Sequence, residues 1–516
     1  MGKISRIHKN LLIIITFIVG LCSIIYELLI STTSSYLLGD SIRQFSIIIG
    51  VYLASMGVGS YLTRFISKDL LLKFIYVELL LGLVGALSVP LCYFYFAQSD
   101  ASGYQFFVLF LVFLIGVLTG FEVPLLTRIM EDDFQLKENI SNILTFDYLG
   151  ALAATLLFPF FLVPMVGLYK SSIIFGLVNI GVGLTTIYLY KDYLEKAKSF
   201  RRALSFFIFV LMSVLAYMIF ESDNYMERWN KSIYKFPVVY TENSPYQNIS
   251  VTQMPEEFRL YLNGAIQFSS RDEYRYHEAL VHVPLQQIDE VKNVLLLGGG
   301  EGLAAREILK YRELEKLTIV DIDPAVSALS GKFKMLDQLN EGALNDPKVK
   351  ILHEDAFRYL KEDTTQYDAI LIDLPDPTNE SIARLYCSKF YQYCIMRLKK
   401  RGVLCTQATS PELSKNAFWC ISSTLQDAGF NFTYPYQVNI PSFGNWGFVM
   451  AKNYPKFVDT LRQDIALKYL ENAMFDHMFY FPKDIRSESV GVNQLDKPII
   501  LDYYLDHWQS LQGQKR

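Results

Sequence analysis

Seven long apolar stretches fill the first 220 residues of this chain of 516. They cover residues 10–31, 44–63, 74–97, 105–127, 141–163, 171–190 and 203–220. Each approaches the roughly 20 apolar residues that a helix needs to cross a bilayer. Residues 1–220 hold only 28 Lys, Arg, Asp and Glu side chains, whereas residues 221–516 hold the other 72. The pattern predicts a seven-helix transmembrane bundle over 1–220, followed by a part that faces water.

Lys and Arg side chains concentrate in alternate loops of this predicted bundle. They precede the first stretch and follow the second, fourth and sixth, which places those loops on the cytoplasmic side. Seven crossings would then put residues 221–516 outside the cell, unless 203–220 lies in the membrane interface or re-enters. The sequence therefore predicts a multi-pass protein of the cell membrane, in contact with the lipid bilayer, and leaves the side of its C-terminal part open.

Four carboxylates lie within the apolar stretches, namely Glu27, Glu78, Glu122 and Asp147. Charges at membrane depth are costly and usually face the interior of a bundle, where they pair or line a polar path. We expect hydrogen bonds between helices, with close packing at the small residues of 50–59, and keep a cation pathway as the alternative.

Charge and cysteine content exclude two classes of function. The net charge of −4 offers no basic excess to neutralise a nucleic-acid backbone. The six cysteines form no CxxC pair and stand near no histidine cluster, so neither a disulfide framework nor a zinc site is predicted. We expect no nucleic-acid partner and no metal.

The character of the chain changes after residue 220. Residues 221–291 contain short alternating segments such as YQNISVTQM, which predict a small antiparallel sheet. In residues 292–455, strands alternate with helical patterns, which predicts a Rossmann-like, doubly wound α/β domain. Residues 456–516 begin with the pattern of an amphipathic helix and form a C-terminal appendage.

A glycine turn marks the predicted ligand site of the α/β domain. In KNVLLLGGGEGLAAREILKY a buried strand leads into a helix, and Gly298 and Gly300 let the backbone approach a ligand closely. The next strand ends in acid, where Asp321 is placed to accept hydrogen bonds from ribose hydroxyls. Since GGGEG lacks the GxGxxG order, a dinucleotide is not favoured.

Two further carboxylates follow the strand YDAILID, namely Asp373 and Asp376. Open α/β sheets bind ligands at the carboxyl ends of their strands. A pair of acids facing that edge suits a cationic substrate, whereas turn formation before Pro377 is the alternative for Asp376.

Six motifs occur in order over about residues 240–455: YQNISV, LNGAIQFSSRDEYRYHEALVHVPL, GGGEGLAAREIL, VDIDP, EDAF and DLPDP. Together they resemble the polyamine aminopropyltransferases, the spermidine synthase family, in the form fused to an N-terminal membrane bundle. The resemblance implies a methyltransferase-like fold, decarboxylated S-adenosylmethionine as co-substrate with no other cofactor, and a homodimer.

The resemblance also implies roles for individual residues. The donor would contact Gln247, Asp321, Asp355 and Ala356, beside the glycine turn. The amine channel would be lined by Tyr276, His277, Glu301 and Asp376, and Asp373 would be the catalytic base. The chain departs from the family pattern at Glu301, Leu303, Ala356 and Phe443.

We expect Tyr276 and His277 to lie on a strand. There His277 would either hydrogen-bond the amine as a neutral imidazole or brace the strand.

The implied reaction moves the aminopropyl group of the donor to putrescine, giving spermidine and methylthioadenosine. Three alternatives remain open at this point. The acceptor could be another amine, as in thermospermine synthases. The chain could instead be an S-adenosylmethionine methyltransferase, or a polyamine transporter or sensor.

Overall fold

A computed structural model describes residues 6–38, 41–99, 101–130, 136–190, 198–234, 236–486 and 489–505. Contacts divide the chain into two compact units, Met1–Ile233 and Tyr234–Arg516. The first unit is helical, and the second is an α/β unit with a mixed sheet. Of the basic residues that orient the predicted bundle, Lys3, Lys191 and Lys196 lie outside the described residues.

The helical unit contains eight α-helices in its described residues. They are α1 Arg6–Leu38, α2 Ser41–Leu62, α3 Leu70–Phe96, α4 Ala101–Ile129, α5 Leu136–Leu157, α6 Leu168–Leu189, α7 Lys198–Phe220 and α8 Ser222–Ile233. A π-helical turn, Phe158–Val166, extends α5. Among the described residues, seven helices are long and apolar enough to cross a membrane. This agrees with the seven apolar stretches of the sequence.

Glycines set the closest helix contacts of this unit. A Cβ on Gly150 would lie 2.2 Å from the carbonyl oxygen of Phe17, where α5 meets α1. In the small-residue stretch 50–59, only Gly59 has such a contact, since Cβ atoms on Gly50 and Gly57 would meet nothing within 4 Å. Glycines of α4 meet the same stretch, since a Cβ on Gly120 would lie 2.2 Å from the carbonyl oxygen of Met56. Small residues on both helices therefore allow α2 and α4 to pack closely.

Helix α8 belongs to the helical unit. Its Trp229 ring packs against Tyr93 with centroids 5.2 Å apart, and its Tyr225 ring lies 5.1 Å from that of Tyr169. These contacts move the boundary of the unit to Ile233, whereas the sequence placed it after residue 220.

The second unit opens with the four-stranded antiparallel sheet that the alternating segments predicted. Its strands are β1 Val238–Asn243, β2 Asn248–Met254, β3 Glu257–Leu262 and β4 Ala265–Ser269, paired in chain order. Helix α9, Glu273–Leu285, follows.

A seven-stranded sheet forms the centre of the second unit. Its strands are β5 Asn293–Gly298, β6 Lys316–Val320, β7 Val349–Leu352, β8 Tyr367–Asp373, β9 Leu398–Gln407, β10 Phe432–Ile440 and β11 Gly444–Lys452. Their order in the sheet is β10-β11-β9-β8-β5-β6-β7. Strands β5 to β9 pair in parallel, and β11 pairs antiparallel with both β9 and β10. The carboxyl ends of the parallel strands therefore share one edge.

Helices connect these strands. They are α10 Leu303–Ile308, α11 Pro324–Lys332, α12 Lys334–Leu339, α13 Ala356–Glu362, α14 Glu380–Ala383, α15 Ser388–Arg397 and α16 Lys415–Ala428, with α17 Phe475–Met478 after the last strand.

Two local predictions are wrong. Tyr276 and His277 lie on helix α9 rather than on a strand, because this helix is buried on every side from Tyr276 to Leu285 and so lacks an amphipathic period. Residues 456–471 form no helix. Three of their backbone N–H groups, at residues 468–470, instead donate to the buried carboxylate of Glu278.

The glycine contact between α2 and α4 predicts a stability difference. We expect Gly59→Ala to lower the melting temperature of the full chain in detergent, because its Cβ would lie 2.1 Å from the carbonyl oxygen of Val117. Overpacking of this kind costs about 1–3 kcal/mol. Gly57→Ala, two residues away on the same helix, is the control and should melt like the parent. Equal melting of both variants would contradict the contact.

Candidate active site

The glycine turn lies directly against the end of β8. Gly298 pairs with Asp373 across the parallel strands β5 and β8. Gly298 and Gly299 have φ values of +83° and +69°, and a Cβ on Gly298 would lie 1.9 Å from the carbonyl oxygen of Asp373. Only glycine is tolerated at a position that combines this backbone conformation with this contact. The turn is thereby held next to the Asp373 carboxylate.

Asp373 is the centre of a compact acidic site. The hydroxyl of Tyr276, on α9, donates to its Oδ1 at 2.6 Å. Side-chain nitrogen or oxygen atoms of His277, Glu301 and Asp373 lie within 4.8 Å of one another. The structure thus brings together four residues that the sequence had assigned to the amine channel and the base.

The surroundings of Asp373 strengthen it as a base. Burial raises the pKa of its carboxyl, and the nearby negative charge of Glu301 raises it further. The positive charge of His277 and the hydrogen bond from Tyr276 act in the opposite direction. The net effect is a carboxylate that holds a proton more tightly than an exposed aspartate does.

His277 is held between two acids. Its Nδ1 donates to the backbone oxygen and the carboxylate of Glu273, each at 2.8 Å, while its Nε2 lies 3.7 Å from Glu301. Burial opposes the charged imidazole, but the interactions with the carboxylates of Glu273 and Glu301 outweigh it and raise the pKa of His277 to about 10. The raised pKa favours the charged form of the ring at neutral pH, and the role of His277 toward the amine stays a prediction.

Asp376 lies in the loop after β8 and is held by two side chains that sequence reasoning missed. The hydroxyl of Tyr504 donates to its Oδ2 at 3.0 Å, and the amide of Gln407 lies 3.4 Å from its Oδ1. Burial raises the pKa of Asp376 to about 6, although both contacts lower it. Gln407 ends β9, a strand neighbouring β8, and could have been found by the same strand-end rule that located Asp373. No signal in the sequence points to Tyr504.

The expected donor residues lie along the ends of β5, β6 and β7. Asp321 accepts hydrogen bonds from the backbone N–H groups of Gly300 and Asp323 at 3.0 and 2.9 Å. A Cβ on Gly300 would lie 2.6 Å from Oδ2 of Asp321. Gln247 joins the same edge, since its amide donates to Asp323 at 3.0 Å. The backbone of the glycine turn and the carboxylate of Asp321, which follows β6, thus form one continuous surface.

Asp355 and Ala356 stand at the start of α13. Oδ1 of Asp355 accepts from the backbone N–H of Arg358 at 3.0 Å and caps the helix, while Oδ2 lies 2.6 Å from the guanidinium of Arg384. A contact of Asp355 with the donor therefore stays a prediction.

Phe443 borders the amine side. Its ring centroid lies 6.3 Å from that of Tyr276 and 4.9 Å from that of Trp446. This departure from the family pattern adds an apolar surface beside the tyrosine that contacts Asp373.

Comparisons with known proteins show the family of the chain. Residues 273–461 match the family model described as the spermine/spermidine synthase domain. A polyamine aminopropyltransferase of Leptospira interrogans is 41% identical over 98% of this chain and 99% of its own length. One from Oceanobacillus iheyensis is 36% identical, with 96% of each chain covered.

A solved spermidine synthase in complex with the transition state analogue AdoDATO is 27% identical, with a TM-score of 0.45. The match covers 48% of this chain and 86% of that one.

The matched segment begins with α9 and contains the glycine turn, Glu301, Asp373 and Asp376. Similarity to the two bacterial enzymes extends through both units, the helical one included. The chain therefore belongs to the polyamine aminopropyltransferase family and is an aminopropyltransferase.

Proposed function

We propose that this enzyme transfers the aminopropyl group of decarboxylated S-adenosylmethionine to putrescine, giving spermidine and methylthioadenosine. The observation that carries the proposal is the position of Asp373, within reach of Tyr276, His277 and Glu301 at the edge where the glycine turn ends.

The reaction needs a neutral amine in a site that attracts cations. An alkylamine with a pKa near 10.4 is neutral in fewer than about one molecule in 10³ at pH 7, a cost of roughly 4–5 kcal/mol. A positioned base removes this obstacle, because it takes the proton of the bound ammonium and frees the nitrogen lone pair for attack. The raised pKa of Asp373 matches that task.

The bonds, electron pairs and proton of the aminopropyl transfer step are all accounted for. The amine nitrogen attacks the carbon next to the sulfonium, the carbon–sulfur bond breaks, and its electron pair leaves on sulfur as a neutral thioether. The proton passes from nitrogen to the Asp373 carboxylate, whose Oδ1 accepts from Tyr276, which leaves Oδ2 for the amine. The second ammonium of putrescine is held by Asp376 and Glu301 through charge-assisted hydrogen bonds.

The acidic walls also select the donor. Asp321, Glu301 and Asp373 lie close enough for their charges to influence one another. The carboxylate of S-adenosylmethionine would be repelled in such a site, whereas its decarboxylated form carries only positive charge. This favours aminopropyl transfer over methyl transfer.

We also propose that the helical unit anchors the enzyme in the cell membrane. Besides the seven apolar helices, α7 supports this: Phe206, Phe207, Phe209 and Phe220 are 59–81% exposed. An apolar surface of this size on one helix is unfavourable in water and favourable in lipid. A homodimer remains our expectation from the family.

The test uses the full chain, purified in detergent, with decarboxylated S-adenosylmethionine and putrescine, cadaverine, spermidine or agmatine in turn. We expect putrescine to gain one aminopropyl unit by mass spectrometry. Asp373→Asn should reduce kcat by about 10²–10⁴-fold, the usual contribution of a general base. It should still bind methylthioadenosine and melt like the parent. Full turnover by Asp373→Asn would refute the role of this residue as the base. Transfer to another amine in preference to putrescine would refute putrescine as the acceptor.

A pH profile tests the pair of Asp373 and Glu301. The base acts only when deprotonated, so kcat/KM should rise with pH through the raised pKa of Asp373. Glu301→Gln removes a neighbouring negative charge that contributes to the rise, so the acid limb should move to lower pH even if the overall rate falls. An unchanged limb would show that Asp373 does not control it.

Tyr504 supplies a third prediction for this site. Tyr504→Phe removes the donor to Oδ2 of Asp376, so the carboxylate that holds the distal ammonium is less well oriented. Since hydrogen bonds to charged groups contribute about 1.5–3 kcal/mol, we expect KM for putrescine to rise about tenfold or more with kcat little changed. Tyr503→Phe is the control, because that hydroxyl accepts from the backbone of Gly491. The same KM shift in both variants would indicate general destabilisation instead.

A further inference from the structure

Four polar side chains lie in the interior of the helical unit. Glu78 lies on α3, Glu122 on α4, Asn179 on α6 and Tyr26 on α1, and each is at most 2% exposed. The amide nitrogen of Asn179 donates to Oε2 of Glu78 at 3.1 Å. The carboxyl groups of Glu78 and Glu122 lie close enough for their charges to influence each other. We call these four residues the Glu78 cluster.

Several atoms of the Glu78 cluster have no hydrogen-bond partner among the described residues. They are Oε1 of Glu78, Oε1 of Glu122, Oδ1 of Asn179 and the hydroxyl of Tyr26. Buried polar atoms are nearly always paired in folded proteins, so a group of four points to a missing partner. Three of these atoms are pure acceptors, which means that the partner must be a donor or a cation.

The charge of the cluster leads to the same conclusion. No described Lys, Arg or His side chain forms an ion pair with Glu78 or Glu122, and the described ion pair of this unit joins Lys170 to Asp223 instead. Two buried carboxyl groups without a cation are costly to keep together. A ligand that brings positive charge and several N–H donors would offset both costs.

We propose that the Glu78 cluster binds the primary ammonium group of an aliphatic amine. An alkylammonium has three N–H donors in a tetrahedral arrangement, which matches the three unpartnered acceptors on Glu78, Glu122 and Asn179. Its methylene chain would lie among the buried apolar side chains of α1 and α3, such as Cys22, Ile25 and Leu81. The choice of amine as ligand rests on the proposed function, since amines are the substrates and products of that reaction.

The test measures amine binding in a chain whose active site is disabled. Full-length Asp373→Asn/Asp376→Asn protein in lipid nanodiscs is titrated with radiolabelled putrescine and, separately, radiolabelled spermidine. We expect binding that remains in this background and weakens by about tenfold or more on adding Glu122→Gln, the effect of one charge-assisted hydrogen bond. Glu27→Gln, another buried carboxyl of the unit, is the matched control and should leave binding unchanged.

Asn179→Leu provides a second variant in case Glu122→Gln does not fold, as judged by melting temperature. It removes an acceptor without changing the charge, and should also weaken binding. Loss of all amine binding in the disabled background would overturn the inference, as would residual binding that neither variant alters. Displacement of the amine by Na⁺ but not by K⁺ at equal ionic strength would overturn it in favour of an alkali-cation site.

An assay of aminopropyl transfer distinguishes failure of this inference from failure of the proposed function. With the active site intact, Glu122→Gln should retain the parent kcat with putrescine. Failure of the parent to transfer an aminopropyl group would refute the proposed function, while the binding titration would still decide whether the Glu78 cluster takes an amine.

Discussion

The parallel pairing of β5 with β8 is the constraint on which the active site depends. It sets Gly298 opposite Asp373, so the strand that leads into the glycine turn and the strand that carries the proposed base end at one edge. A side chain at 298 would collide with the backbone that presents Asp373. The requirement for glycine and the placement of the carboxylate are therefore one geometric condition, and a substitution at either place disturbs both.

Side chains of alternating charge allow several carboxylates to lie close together at this edge. Arg306 forms a bidentate pair with Glu273 at 2.9 and 3.0 Å, Glu273 holds His277, and His277 faces Glu301. The signs alternate along this row from guanidinium to carboxylate to imidazolium to carboxylate. A buried pair of this kind is favourable only when its charges are hydrogen-bonded, as Arg306, Glu273 and His277 are here. The imidazolium thereby offsets the repulsion between Glu301 and Asp373, and leaves both free to face a cation.

The sequence predicted those parts of the structure that follow from short-range patterns. The strand, glycine turn and helix at 293–308 are local, and the strand-end rule then places Asp321 and Asp373 at one edge without further information. Helix α9 was misread because it is buried on all sides, so its apolar residues show no helical period. Residues 456–471 were misread because their backbone N–H groups bond to Glu278, a partner almost 200 positions earlier that no local pattern reveals.

The contact between Tyr504 and Asp376 also joins residues far apart in the sequence. It distinguishes the part of the site around Asp376 from the part built on strand ends. The residues proposed to bind the donor lie at strand ends and are fixed by the sheet, whereas Asp376 is held in part by Tyr504, in the chain beyond residue 489. That segment is anchored by Asn493, whose amide donates to the backbone of Ala383 at 2.9 Å and whose backbone N–H donates to Thr424 at 3.0 Å. A change in the C-terminal segment therefore alters the surroundings of Asp376 without altering the strand ends that carry Asp321 and Asp373. Under the proposed function, the surroundings of the amine can thus vary separately from those of the donor.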